Sequence, residues 1–389
     1  SPILDRVILG IDPGYRTGCK VAVISKTGSV LDHVNIYPTK PQEKIKESKE
    51  ILAKLIKKYD VSLIAIGNGT ASRETEKVVV ELINELKKED LFYSIVNEAG
   101  ASIYSASKLG QEEFPDLDVT VRGAISIARR IQDPMAELVK IEPKHIGIGQ
   151  YQHDVNQKQL TETLSDVIED CVNKVGVDVN TASFSLLSYI SGMSKTMAKN
   201  LVSYRDENGA FKNRDEIKKV KGIGPKAYTQ SAGFLRIRNG ENPLDNTAVH
   251  PESYEIAEKL YGKDLDKINI SKISKELEVG ELTLKDIIEE LKRPGRDIRE
   301  DMPKPILRSD VLSIEDLEVG MELKGTVRNV VDFGAFIDIG IKNDGLVHIS
   351  QISNKFIKHP SEVLKVGDIV KVKILEIDLE KQKVKLTMK

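Results

Sequence analysis

Tryptophan is absent from the 389-residue sequence, and cysteine occurs only twice, at Cys19 and Cys171. The two lie far apart, with no His or Cys at zinc-ligand spacing beside either, which argues against a disulfide framework and a structural metal. A reducing, cytoplasmic setting is expected. No stretch approaches the run of about 18 apolar residues that a membrane-spanning helix needs, and no charged and apolar leader precedes the first strand, so no membrane association is expected. Excess charge of one sign is also lacking: 58 Lys and Arg stand against 60 Asp and Glu, a formal net charge of −2. Any polyanion site must therefore come from local clustering rather than from the field of the whole molecule. The length is too great for one ordinary core and implies three or four units. Ser1-Pro2-Ile3-Leu4 runs almost directly into a buried-type strand, so the chain is expected to be a piece of a longer one.

The first stretch alternates strands and helices. Apolar runs at Arg6 to Ile11, Cys19 to Ile24 and Val30 to Tyr37 read as a three-strand meander. Pro41 to Tyr59 carries Ile45, Ile51, Leu52, Leu55 and Ile56 at helical intervals, followed by a strand from Leu63 to Ile66. A helix over Ala71 to Lys88 and a strand over Phe92 to Val96 repeat the pattern. Strand order is not readable from the sequence. The element order is that of a ribonuclease-H-like fold. The segments Gly10-Ile11-Asp12-Pro13-Gly14, Gly67-Asn68-Gly69-Thr70-Ala71-Ser72-Arg73-Glu74-Thr75, Asn97-Glu98-Ala99-Gly100-Ala101-Ser102 and Arg122-Gly123-Ala124-Ile125-Ser126-Ile127-Ala128-Arg129-Arg130 resemble the YqgF-type domain of Tex proteins.

Active relatives of that fold, such as RuvC-like resolvases, hold two magnesium ions between several carboxylates. Asp12 matches the acid of their first strand, and Glu98 ends a neighbouring strand. By the same comparison Asn68 and Arg122-Gly123 stand where resolvases carry acids. The resemblance thus implies no catalytic residues, with Asp12 and Glu98 as vestigial candidates, Asp12 then serving as a turn or cap residue, and no metal or cofactor. Two readings of Gly67 to Thr75 stay open: a glycine turn into a helix start that binds phosphate, or a tight turn in which Arg73 pairs with a nearby carboxylate.

Two near-repeats follow. Leu186 to Ala198 and Ile217 to Tyr228 each place an apolar residue, Ile190 or Val220, two positions before Gly192 or Gly222, then Met193 or Ile223, then Ser194 or Gly224. The pattern resembles a helix-hairpin-helix pair, in which the glycine turn leaves helix-terminal N–H groups facing a phosphate, with Lys195 or Lys226 close by. Such a contact grips backbone and ignores bases. The second loop, with Lys218, Lys219, Lys221 and Lys226, is the richer candidate, although a lysine-rich turn on a rigid spacer is the plainer alternative. From Asn242 onward, Ile256, Ala257, Leu260, Ile287, Ile288 and Leu291 mark a small helical bundle, and Pro294-Gly295, Pro303 and Pro305 mark a linker.

The last stretch alternates apolar and polar residues in five runs, Glu322 to Val331, Gly334 to Ile339, Asp344 to His348, Ile369 to Asp378 and Lys383 to Met388, which predicts a closed barrel. Asp332-Phe333-Gly334-Ala335-Phe336-Ile337-Asp338 and Asp344-Gly345-Leu346-Val347-His348-Ile349-Ser350 resemble an S1-type OB fold. Phe333, Phe336 and His348 would then lie on the face where OB folds stack unpaired bases, with Lys324, Arg328, Lys371 and Lys373 tracking phosphates. The alternative for Phe336 is burial in the barrel, since every second residue of a strand points inward.

The expected architecture is multi-domain, α/β plus α plus β: a ribonuclease-H-like unit over 1–154, tandem hairpins over 155–240, a small helical unit and linker over 241–305, and an S1-type OB barrel over 313–389. The resemblance to Tex covers essentially the whole chain, lacks the family's helical N-terminal region, and implies a monomeric scaffold binding single-stranded RNA or DNA as an accessory factor in transcription or RNA metabolism. A metal-dependent nuclease and an adaptor on RNA polymerase or the ribosome are the alternatives.

Overall fold

A computed structural model describes every residue except 148, 150, 309–313, 315, 316, 342 and 380; the expected start of the barrel unit, residue 313, lies outside the described residues. Strands β1 (Ile8–Asp12), β2 (Cys19–Ile24) and β3 (Val30–Ile36) form an antiparallel meander, and β4 (Leu63–Gly67) and β5 (Phe92–Val96) add in parallel beyond β1, giving the order β3-β2-β1-β4-β5. Helices α1 (Ile45–Tyr59) and α2 (Ser72–Leu86) precede β4 and β5. After β5 come the short α3 (Ala101–Ala106) and α4 (Lys108–Glu113), then α5 (Val119–Gln132). Successive side chains of the central strands enter different cores. Leu9, Ile11, Val21, Val23, Ile64 and Ile66 pack with α1 and α2, whereas Ile8, Ala22, Ile24, Leu63 and Ala65 pack with α5. A sheet covered on both faces needs apolar residues at every position, hence the unbroken apolar runs in the sequence. Each such large side chain contributes roughly 1.5–3 kcal/mol on burial. At Gly10 a Cβ would lie 2.3 Å from the carbonyl oxygen of Ala124, so only glycine lets α5 approach β1 this closely.

The hairpin unit has one core. Helix α6 (Pro134–Leu138) leads to α7 (Gln157–Val175), α8 (Phe184–Leu187), α9 (Lys195–Asn208) and α10 (Pro225–Ser231), with two-residue strands β6 (Val177–Asp178) and β7 (Leu235–Arg236) pairing in parallel. Ile190, Met193, Val220 and Ile223, the apolar residues flanking the two glycine turns, share that core, and Met135 and Ala136 of α6 and Val139 just after it pack against it. Arg214 is 1% exposed. Its guanidinium donates to the carbonyls of Leu235 (2.7 Å), Val249 (2.7 Å) and Thr247 (2.6 Å) and to the Tyr254 hydroxyl (2.7 Å). Four acceptors for one buried cation lock the hairpins to the segment that follows, where α11 (Tyr254–Leu260), α12 (Ile270–Glu276) and α13 (Glu281–Lys292) form a separate small core. His250 caps a short turn there: its Nδ1 accepts from Glu252 N–H (3.3 Å), and its Nε2 lies 2.8 Å from the Thr229 carbonyl oxygen.

Strands β8 (Glu322–Val331), β9 (Gly334–Asp338), β10 (Gly345–His348), β11 (Ile369–Asp378) and β12 (Lys383–Thr387) close a barrel in the order β10-β12-β11-β8-β9, with β9 returning to β10. The chain entering the barrel also touches the sheet, since Arg308 exchanges backbone hydrogen bonds of 2.8 and 2.9 Å with Tyr93 on the edge strand β5.

Candidate nucleic-acid interface

The barrel presents the aromatic residues on its outside. Ala335 and Ile337 of β9 and Val347 of β10 are fully buried, so the residues between them point away from the core. Phe336 therefore stands on the outer face, opposite Leu346 on β10 and Asn329 on β8, and the alternative of a core role is set aside. Phe333, at the β8–β9 turn, is 52% exposed and meets Phe336 edge to face, with ring centroids 6.3 Å apart and planes at 86°. His348 is exposed and pairs across the ladder with Gly334, which has no side chain to cover it. A Cβ at Gly334 would fall 2.2 Å from the carbonyl oxygen of Val347. The His348 ring is oriented by its own turn: Nδ1 accepts from Ser350 N–H (3.3 Å), which leaves Nε2 as the donor of the neutral ring. Two phenyl faces and an imidazole thus share one open surface, the arrangement on which unpaired bases stack.

Of the four cations expected around them, three cluster and one stands apart. Lys324 faces Lys371 across β8 and β11, and Lys371 is ion-paired with Glu322, which faces Lys373. That patch lies five residues along β8 from Asn329, the neighbour of Phe336, about 16 Å at strand rise. Arg328 is the one apart. The β8–β9 register slips between Val327 and Asn329, and at this bulge Arg328 turns onto Asp338 (2.7 Å). It lines a cleft of about 990 Å³ between the barrel and the start of α2. Arg328, expected to track phosphate beside the aromatics, thus has its guanidinium on Asp338 at a junction between units.

Arg73 works at the same junction. It pairs with the fully buried Glu76 (2.9 Å) and donates to the carbonyl oxygen of Ile341 in the barrel (2.8 Å), while the Tyr93 hydroxyl donates to the other oxygen of Glu76 (3.0 Å). Of the two readings left open for Gly67 to Thr75, the structure places Arg73 with a carboxylate.

In the α/β unit, Asp12 ends β1 and its carboxyl is pushed up to about 6, mainly by burial, then by Glu98, with Lys20 acting the other way. Burial also raises Glu98, against the Gly69 N–H and Arg130, which lower it. The two acids face one crevice. Its walls are glycine: a Cβ would fall 2.3 Å from Glu98 Oε2 at Gly67, 1.7 Å from Glu98 Oε1 at Gly69, and 2.5 Å from Asp12 Oδ2 at Gly123. Asp12 makes no capping hydrogen bond among the described residues and stands at the end of β1, directly before the turn that begins at Pro13. No three His, Cys, Asp or Glu side chains converge as metal ligands among the described residues. Arg122 is buried and donates to the carbonyls of Phe114 and Ser105.

Both hairpin turns have the expected backbone, with φ of 78° at Gly192 and 89° at Gly222. Gly192, Ser194, Lys195, Lys221, Gly222, Gly224 and Lys226 are all exposed. The Ser194 side chain caps α9 by accepting from Met197 N–H (3.2 Å), whereas Gly224 offers none before Pro225. Lys218 and Lys219 are paired with Asp215 and Glu216, which leaves Lys221 and Lys226 without an ion pair among the described residues. Asn200 of α9 donates to the Lys221 carbonyl (2.8 Å), fixing the second turn against the first hairpin's helix.

No helix of the described residues is long and apolar enough to cross a membrane. Residues 6–132 match the model of the Tex protein YqgF-like domain, 172–236 a helix-hairpin-helix motif, 242–299 an HHH domain and 316–389 the S1 RNA binding domain. The chain is 54% identical to the uncharacterized protein YdcI of Bacillus subtilis, over all of this chain and 56% of that protein. It is 52% identical to the transcriptional accessory protein Tex of Neisseria gonorrhoeae, over 98% of this chain and 51% of that protein. With the human S1 RNA-binding domain-containing protein 1 it shares 39% identity, over all of this chain and 46% of that protein. The chain spans about half the length of the curated relatives it matches.

Proposed function

We propose, on the premise that this chain belongs to the Tex family, that it is a scaffold which holds single-stranded nucleic acid, RNA in preference, and serves as an accessory factor in transcription or RNA metabolism. The observation that carries the reading is the open surface shared by Phe333, Phe336 and His348. Stacking on such a surface is worth roughly 1–3 kcal/mol per base. The lysines of β8 and β11 and the turns around Gly192 and Gly222 would add sequence-independent backbone contacts. In this reading the chain works as a monomer in the cytoplasm, with RNA polymerase or the ribosome as its larger partner. The α/β unit supports the others and cuts nothing: Asp12 and Glu98 are two acids walled in by glycine, where a two-metal site needs a fuller shell.

Fluorescence anisotropy with labelled single-stranded RNA, single-stranded DNA and duplex DNA tests this. The chain should bind single strands without magnesium, lose affinity as salt rises, and bind at least tenfold more weakly as the Phe333→Ala, His348→Ala variant. Equal binding by the variant would move the site to the hairpins.

A further inference from the structure

Among the described residues Phe356 is the most exposed large apolar side chain, at 90%. Its loop joins β10 to β11 and is well held. Ile352 and Pro360 are buried, and Ile357 packs on the barrel core. Phe356 is thus directed outward by an anchored backbone, not by loop slack. Two contacts tie this loop to the turn that carries Phe333. At its start, Ile349 N–H donates to the Phe333 carbonyl (2.9 Å). At its end, the His359 ring reaches Asp332 Oδ1 (3.0 Å), the residue before Phe333. The His359 ring is held in turn by Ser361, whose N–H donates to Nδ1 (3.1 Å), and its backbone N–H donates to Glu362 (3.2 Å). Phe356 stands three positions before His359, so the ring lies within about 10 Å of chain from that clasp. Lys355 and Lys358 flank it and have no ion pair among the described residues.

We infer that Phe356 is a second stacking platform, which takes a base of the same single strand after it leaves Phe333 and His348, while Lys355 and Lys358 hold the intervening phosphates. This extends the reading of the barrel face given above and rests on it. An exposed π-face between two free cations fits a single-stranded nucleic acid, whose bases and phosphates alternate in the same way, better than it fits a protein surface. The barrel would therefore engage a strand longer than its aromatic face alone.

The test compares oligouridines of about four and about twelve nucleotides, lengths at the short and long ends of OB-fold site sizes. Phe356→Ala should leave the short oligomer bound as before and weaken the long one roughly 5- to 100-fold, with Phe356→Trp restoring it. Phe333→Ala should weaken both. If Phe356→Ala binds both oligomers as the parent does while Phe333→Ala loses both, the inference fails and the barrel reading stands, leaving the ring for a protein partner. If Phe333→Ala loses neither, the barrel reading itself fails. Equal weakening of both lengths by Phe356→Ala would also overturn the extension, placing the ring in the first subsite.

Discussion

The crevice of the α/β unit and the outer face of the barrel both depend on glycine, to opposite ends. At Gly67, Gly69 and Gly123 the missing side chain lets backbone close onto the carboxylates of Glu98 and Asp12, and the acids become desolvated enough to rise in pKa. At Gly334 the missing side chain lets β9 close onto β10, which leaves His348 uncovered on the same face as the two phenyl rings. One site is filled by its own fold, and the other is left open by it. Polar groups withdrawn from water without full compensation cost stability, whereas exposed π-faces gain only when a ligand covers them. A retained fold with a closed crevice and an open barrel is what a binding scaffold needs.

The largest effect that sharpens this contrast is expected away from both sites. Replacing Arg214 by Leu strands three buried carbonyl acceptors and removes a bond to the Tyr254 hydroxyl, so the hairpin unit should lose about 3–5 kcal/mol in urea unfolding. A loss below about 1 kcal/mol would mean that Arg214 is not the lock between the hairpins and the following segment. The next effect concerns the crevice. Because the folded-state pKa of Asp12 is raised, the folded form binds the extra proton between the ordinary value of 3.8 and about 6. Stability should therefore fall as pH rises through that window, by at most about 3 kcal/mol. Asp12→Asn should remove that slope, stabilise the chain at pH 7.5 and change nothing at pH 3.5. Destabilisation of this variant at pH 7.5 would show instead that the carboxylate is held by a favourable partner. The smallest effect is at the junction: Arg328→Gln should cost less than about 1 kcal/mol and shift RNA affinity less than twofold. A tenfold loss of affinity would return Arg328 to the binding face.

Much of this was legible because period decides it. The barrel strands alternate, so Phe336 could be assigned to the face opposite Ala335 and Ile337 once closure was known. The turns at Gly192 and Gly222 declare themselves through residues that tolerate positive φ. What the sequence concealed involves contacts that no period encodes. Arg214 sits in a charged stretch and carries no sign of burial until Thr247 and Val249 fold over it. Arg328 falls on the outer face by count, and only a bulge turns it to Asp338. The strand order, with β4 beside β1, depends on crossovers that alternation leaves open. Phe356 lies in a loop, where an exposed ring cannot be told from a buried one.

The contrast between the open face and the closed crevice is tested most directly by one paired measurement. Labelled single-stranded RNA is titrated with the parent chain, with Phe333→Ala, His348→Ala and with Asp12→Asn, Glu98→Gln, each in magnesium and in chelator, and the RNA is afterwards checked for cleavage. The barrel variant should lose at least tenfold in affinity, while the crevice variant binds like the parent, and the RNA stays intact in every lane. Magnesium-dependent cleavage by the parent that disappears in the crevice variant, with binding unaffected in the barrel variant, would contradict the account and make the α/β unit the working site.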